Sequence, residues 1–106
     1  MAKNDLTAEI ESAALRLADA VEAEQALEDN RINVKLAAID RIMSAGDNPL
    51  TGKPHSFSSA EAVVNTDSEY QSYLERQRQA VRARILAKGG YEAAVANARI
   101  GATAVV

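Results

Sequence analysis

The sequence predicts an all-α protein: two long helices folded as an antiparallel hairpin, coiled-coil-like, with a Pro/Gly-rich connection and a short intervening helix. Three observations predict it. Ile10, Val21, Ile32 and Met43 recur every eleven residues, and Leu6, Leu17 and Ile39 follow a parallel track with the same step, broken only at Glu28. Eleven residues make three turns at about 3.67 per turn, so this hendecad stripe holds one face of a helix with little supercoiling. Next, Gly46, Asp47, Asn48, Pro49, Gly52 and Pro54 crowd into nine residues, where fixed or positive φ and missing donors stop a helix. Finally, alanine dominates the apolar residues while aromatics make up 4% and Trp is absent, which suits thin helical packing better than a globular core.

The first helix is expected over about residues 5–44, starting at Asp5 or Thr7 and ending at Ser44. The connection covers about residues 45–66. Within it Ser58-Ser59-Ala60-Glu61 offers a capping hydroxyl and an acid in the first turn, which predicts a short helix over 59–64. Thr66-Asp67-Ser68-Glu69 repeats the logic, with Thr66 as N-cap and Glu69 at the capping-box position. The second helix therefore runs over about 67–100. Its apolar stripe is Tyr70, Leu74, Val81, Ile85, Val95 and Ala98, interrupted by Gln77 and Lys88, with Tyr73, Ala80, Ala87, Tyr91 and Ala94 alongside. Gly89-Gly90 inside this helix marks a weak point or a close helix contact, since each Gly costs roughly 1 kcal/mol against Ala. The uncharged tail from Gly101 to Val106 is expected to fray.

The whole chain of 106 residues reads as a single helical domain. A lone hairpin of such helices, each roughly 55 Å long, buries too little apolar surface to offset backbone entropy comfortably. The expectation is a homo-oligomer whose seam uses Ile10, Leu17, Val21, Ile32, Leu36, Ile39, Met43, Leu74, Val81 and Ile85.

Composition excludes several classes. With no Cys there is neither a disulfide framework nor a thiolate metal site, and no cofactor is expected. No apolar stretch approaches the roughly 18 residues of a membrane span, and Met1 to Leu6 lacks the basic start and apolar run of a secretion signal. A cytoplasmic protein is the expectation. The net charge of −3 hides an asymmetry. Residues 1–30 hold eight acids against Lys3 and Arg16, whereas Arg76, Arg78, Arg82, Arg84, Lys88 and Arg99 stand against Glu92 alone between 76 and 99. Antiparallel pairing would lay the acidic arm beside the basic stretch and fix the register. Alternatively, arginines spaced along a helix can follow a phosphate backbone and release counterions.

The loop from Gly46 to Ser56 contains Gly52-Lys53, but five residues separate its glycines, Pro54 occupies the place of a Mg²⁺-binding hydroxyl, and a helix precedes it. A nucleotide-cradling loop is thereby excluded. Lys53 and His55 remain candidates for phosphate contact, with Phe57 available to stack on a base. His55 is the single histidine. Without Cys or clustered carboxylates it makes a poor metal site, and without an orienting acid beside Ser56 it makes no catalytic pair. No enzyme is expected. The candidate DNA-contacting residues are Lys53, His55, Arg76, Arg78, Arg82, Arg84 and Lys88.

The run from Asn48 to Ser56, then Ser59-Ala60-Glu61, then Thr66 to Tyr73 followed by the Arg-rich helix and Tyr91-Glu92, resembles small helical proteins that bacteriophages encode beside their recombination and single-strand annealing genes. It is more distantly similar to phage recombination mediators of the UvsY type. The resemblance covers roughly residues 45–100. It implies an oligomer in the bacterial host's cytoplasm that binds single-stranded DNA and assists a phage recombinase or annealing protein. The competing expectation is a non-enzymatic structural, assembly or adaptor protein of a phage, whose arginines serve helix pairing only.

Overall fold

The computed structural model describes residues 3–104, with side chains described over 5–101. In chain order the elements are α1 (Lys3–Asp29), α2 (Arg31–Ala45), a hairpin of β1 (Asp47–Asn48) and β2 (Lys53–Pro54), α3 (Phe57–Ala62), a 3₁₀ turn (Val64–Thr66) and α4 (Ser68–Ala104). The fold is all-α, with two long helices, α1 and α4, packing against each other as the sequence predicts. The chain forms two compact units, one of Met1–Ala26 with Gln79–Val106 and one of Leu27–Arg78. Below they are the long-helix unit and the core unit.

In the long-helix unit the covered positions of α1 are Leu6, Ile10, Ala13, Leu17, Ala20 and Glu24, with Ala14 on the flank. Those of α4 are Ala80, Arg84, Ala87, Tyr91, Ala94, Ala98 and Gly101, with Val81 and Val95 on the flank. Along both helices the steps alternate between three and four, so the seam follows seven residues rather than eleven. A seven-residue seam needs a slight left-handed wrap, which keeps the two faces in register. The alanine-rich rows allow that close approach. The helices are antiparallel: Arg84 pairs with Glu24, while Leu6 Cδ1 lies 3.0 Å from where a Cβ on Gly101 would stand. Any side chain at Gly101 would displace Leu6.

The core unit carries the main apolar cluster: Ala38 and Ile39 of α2, Ala60 of α3, Val64 of the 3₁₀ turn, and Tyr70 and Tyr73 of α4, with Leu27, Val34, Ile42 and Leu74 packed around them. Ala38 and Ala60 have no exposed surface, so α2 and α3 meet through their smallest side chains. Tyr70 and Tyr73 stack with ring centres 6.2 Å apart.

Four local features differ from the sequence expectation. The first helix is interrupted at Asn30, whose N–H reaches back three residues to the Leu27 carbonyl (3.2 Å). The Tyr73 hydroxyl donates to that same carbonyl at 2.5 Å, so a side chain enters the helical ladder where Glu28-Asp29-Asn30 holds it weakly. The short helix begins at Phe57 rather than 59, because Ser56 is its cap and accepts the Ser59 N–H at 3.2 Å. The cap of α4 is Asp67 rather than Thr66: an Asp67 oxygen accepts the Tyr70 N–H at 2.9 Å, while the Thr66 hydroxyl closes the 3₁₀ turn on the Val63 carbonyl at 2.7 Å. Finally, α4 runs through Gly89-Gly90 and stays helical to Ala104 where fraying was expected; Val105 and Val106 lie outside the described residues.

The connection is a small antiparallel hairpin pairing Asp47 with Pro54 and Asn48 with Lys53. Asn48 organises it. Its side-chain oxygen accepts the Leu50 N–H (3.0 Å), and its carbonyl accepts those of Thr51 (3.2 Å) and Gly52 (2.8 Å). Pro49 presets φ for the turn, and Gly52 takes the left-handed φ of +67° that closes it.

Candidate functional site

A contiguous exposed apolar face of the core unit lies along α2. Ile32, Leu36 and Met43 stand four and seven residues apart on one side of the helix, next to the buried Ile39, and Phe57 at the start of α3 borders them. They remain 68%, 46%, 40% and 50% exposed respectively, although each could have been buried had the chain packed on itself there. Beyond Ile32 runs an open groove of about 420 Å³ lined by Leu36, Ala37, Ile39, Asp40, Met43 and Phe57. Asp40 supplies the only charge among these lining residues. A groove of aliphatic, thioether and phenyl groups with one carboxylate at its edge suits a helix with an apolar stripe.

Ten residues were expected to form an apolar seam, and the structure divides them. Ile10, Leu17 and Val81 lie half-buried in the long-helix unit, whereas Val21 and Ile85 of that unit are exposed. In the core unit Ile39 is buried and Leu74 packs against its cluster, while Ile32, Leu36 and Met43 face outward. Roughly half of that seam therefore closes within the chain, and half remains available.

The basic candidates are divided between the two units. Lys53 is exposed on β2. His55 is half-buried, its Nδ1 2.9 Å from the Ser59 hydroxyl, which itself donates to the Ser56 carbonyl at 3.1 Å; His55 thus holds the start of α3. Arg76 and Arg78 belong to the core unit, and Arg78 is bound by its neighbour Glu75 at 2.7 Å. Arg82, Arg84 and Lys88 belong to the long-helix unit, where Arg84 is turned into the seam against Glu24. The acidic arm and the basic stretch meet there, as antiparallel pairing predicts. Arg82 and Lys88 project outward and make no ion pair within 4.0 Å among the described residues.

The strongest electrostatic cluster joins two acids of the capping motif, Asp67 and Glu69, to Arg41, which no motif in the sequence marks. Arg41 of α2 holds Asp67 with two hydrogen bonds (3.0 and 2.7 Å) and reaches Glu69 at 3.1 Å. The Arg41 hydrogen bond, with help from the Tyr70 N–H, holds the Asp67 carboxyl below the usual carboxylate range against the opposing effect of burial. In return Asp67 raises Arg41. This pair fastens α2 to the start of α4. Burial, reinforced by Glu28, pushes the Tyr73 phenol up, so it stays a hydrogen-bond donor to Leu27. The sequence carried one usable signal for the cluster: Asp67 immediately precedes the helix and stands three residues before Tyr70, the spacing of an N-cap acceptor.

Among the described residues no group of three or more His, Cys, Asp or Glu side chains could hold a metal ion, and no helix is long and apolar enough to cross a membrane. Comparison with protein-family models, curated proteins and solved structures found no match.

Proposed function

We propose that this chain is a non-enzymatic assembly or adaptor protein that works through helix–helix association, with the Ile32–Leu36–Met43 face of α2 and Phe57 as its contact surface. One observation carries this: the exposed Leu36, Met43 and Phe57 lie together around a groove, with Ile32 one turn further along α2, in a chain too poor in bulky residues to leave them uncovered without cost. The arginines add support, since Arg84, Arg78 and Arg41 are committed to Glu24, Glu75 and Asp67. Self-association is the simplest use of the face. Leu36→Glu tests it: sedimentation velocity at matched concentration is expected to show dissociation with the helical circular dichroism retained. An unchanged oligomer, or a wild-type chain that is monomeric at all concentrations, would sink the reading.

A second reading is favoured by Arg82 and Lys88, which lie outward without an ion pair among the described residues. In it the oligomer is the phage recombination accessory that the sequence resemblance implies, holding single-stranded DNA through these two residues of the long-helix unit. Such binding weakens steeply with salt. Fluorescence anisotropy with a labelled oligonucleotide at about 50 mM salt decides it, because electrostatic binding is strongest there. Arg82→Glu is expected to abolish binding while leaving the oligomer intact; no binding by the wild-type chain removes this reading and leaves the first standing.

A further inference from the structure

We infer that the outer face of α4 in the long-helix unit pairs with the same face of a second copy, the two helices running antiparallel with Ala93 of one against Ala96 of the other. The inference rests on the self-association reading and adds a second surface and a register to it.

Opposite the seam that α4 gives to α1, the helix carries another row: Leu86, Gly89, Ala93, Ala96 and Ile100. All five are exposed, with Leu86 64% and Ile100 67% open to solvent. Their steps are three, four, three and four, the spacing of a coiled-coil seam. No other part of the long-helix unit covers this row. Ile85, also exposed, borders it. A soluble helix ordinarily places polar groups on such a face. Here Leu86 and Ile100 stand at its ends and the smallest side chains lie between. A Cβ on Gly89 would meet nothing within 4 Å, so packing inside the chain supplies no reason for a glycine there.

Size and charge choose the antiparallel register. Layers in an antiparallel pair join residues whose numbers sum to a constant. Setting Ala93 against Ala96 also sets Ile100 against Gly89, the largest side chain of each layer over the smallest. Two-fold symmetry repeats both layers. The flanking positions of the row are Glu92 and Arg99. In this register Glu92 of each copy stands two positions, about 3 Å along the axis, from level with Arg99 of the other and on the same flank, close enough for two ion pairs across the interface. A parallel pair would instead set Ile100 beside Ile100, glycine beside glycine, and glutamate level with glutamate. The occupant that fits bulk to gap and acid to base is therefore the chain itself. In this register the row pairs with itself from Gly89 to Ile100, about 17 Å, short beside the interfaces of roughly 1,200 Å² or more that hold stable complexes. Pairing through this face is weak alone and depends on concentration.

The chain has no cysteine, which permits a direct test. Chains carrying Ala93→Cys and chains carrying Ala96→Cys are mixed under mild oxidation, each also tested alone, with Leu86→Glu/Ile100→Glu added to both as a control. The mixture is expected to form disulfide-linked dimers several-fold faster than either variant alone, and the control to abolish that preference. Faster linkage of like with like would overturn the register. Equal, slow linkage in a solution where light scattering still shows an oligomer would overturn the α4 interface while sparing the self-association reading. A monomer at every concentration would overturn both.

Discussion

Asp67 does two jobs at one corner of the core unit, and substitution separates them. It caps α4 by accepting the Tyr70 N–H at 2.9 Å, and it takes two hydrogen bonds from Arg41. Asp67→Ala removes both; losing an N-cap acceptor alone costs about 1–2 kcal/mol. For a chain of 106 residues, each kcal/mol lowers the melting temperature by about 4–8 °C, so a fall of roughly 5–15 °C is expected. Asp67→Asn keeps a capping oxygen and loses only the charge, so its melting temperature falls by clearly less. The assay is thermal unfolding followed by circular dichroism at one fixed protein concentration, because association would shift the midpoint. Acid supplies a second test. The folded-state carboxyl is held below its ordinary value. Its contribution is complete above the unfolded value and is lost as pH falls through the folded one. The gap between wild type and Asp67→Asn should therefore be full at neutral pH and close below about pH 4. If Asp67→Asn proved as damaging as Asp67→Ala, or if neither moved the midpoint by more than about 2 °C, the capping argument would be refuted.

Four further substitutions follow from the geometry. Tyr73→Phe deletes the donor to the Leu27 carbonyl and should cost about 1 kcal/mol by urea unfolding, whereas Tyr70→Phe should stay within about 0.5 kcal/mol. Ala60→Leu forces three more heavy atoms into the α2–α3 contact, where Ala60 has no exposed surface, and a loss of about 1–3 kcal/mol is expected in the same assay. Gly52→Ala places a Cβ at φ +67° and should cost about 1 kcal/mol while leaving the helical signal unchanged.

The helical architecture was legible because it rests on repeated local signals. Proline, glycine and Asn48 end the first helical segment, and the acidic arm finds the basic stretch at Glu24 and Arg84. Period was harder to read. Ile10 and Val21 stand eleven apart and both are aliphatic, yet the seam passes through Leu17 and Glu24 instead. A glutamate among its apolar positions gave no hydrophobic signal until its arginine was in view. The break at Asn30 was hidden for a similar reason, since its cause is Tyr73, 43 residues further along the chain. Capping slipped by one residue at α4 because Thr66 and Asp67 are both competent, and only the 3₁₀ turn decides between them. The α2 face was readable as apolar from Ile32, Leu36 and Met43, but Phe57 joins it only through the path of the hairpin.

The Asp47–Pro54 hairpin has a practical consequence. Its bonds are nearly all internal, centred on Asn48, and Leu50 at its tip is 92% exposed. Lengthening a loop costs only about 0.6 kcal/mol per doubling. Extra residues spliced in after Leu50 should thus leave the surrounding helices undisturbed, making this tip the natural place to graft an epitope or fluorophore and follow assembly from inside the chain.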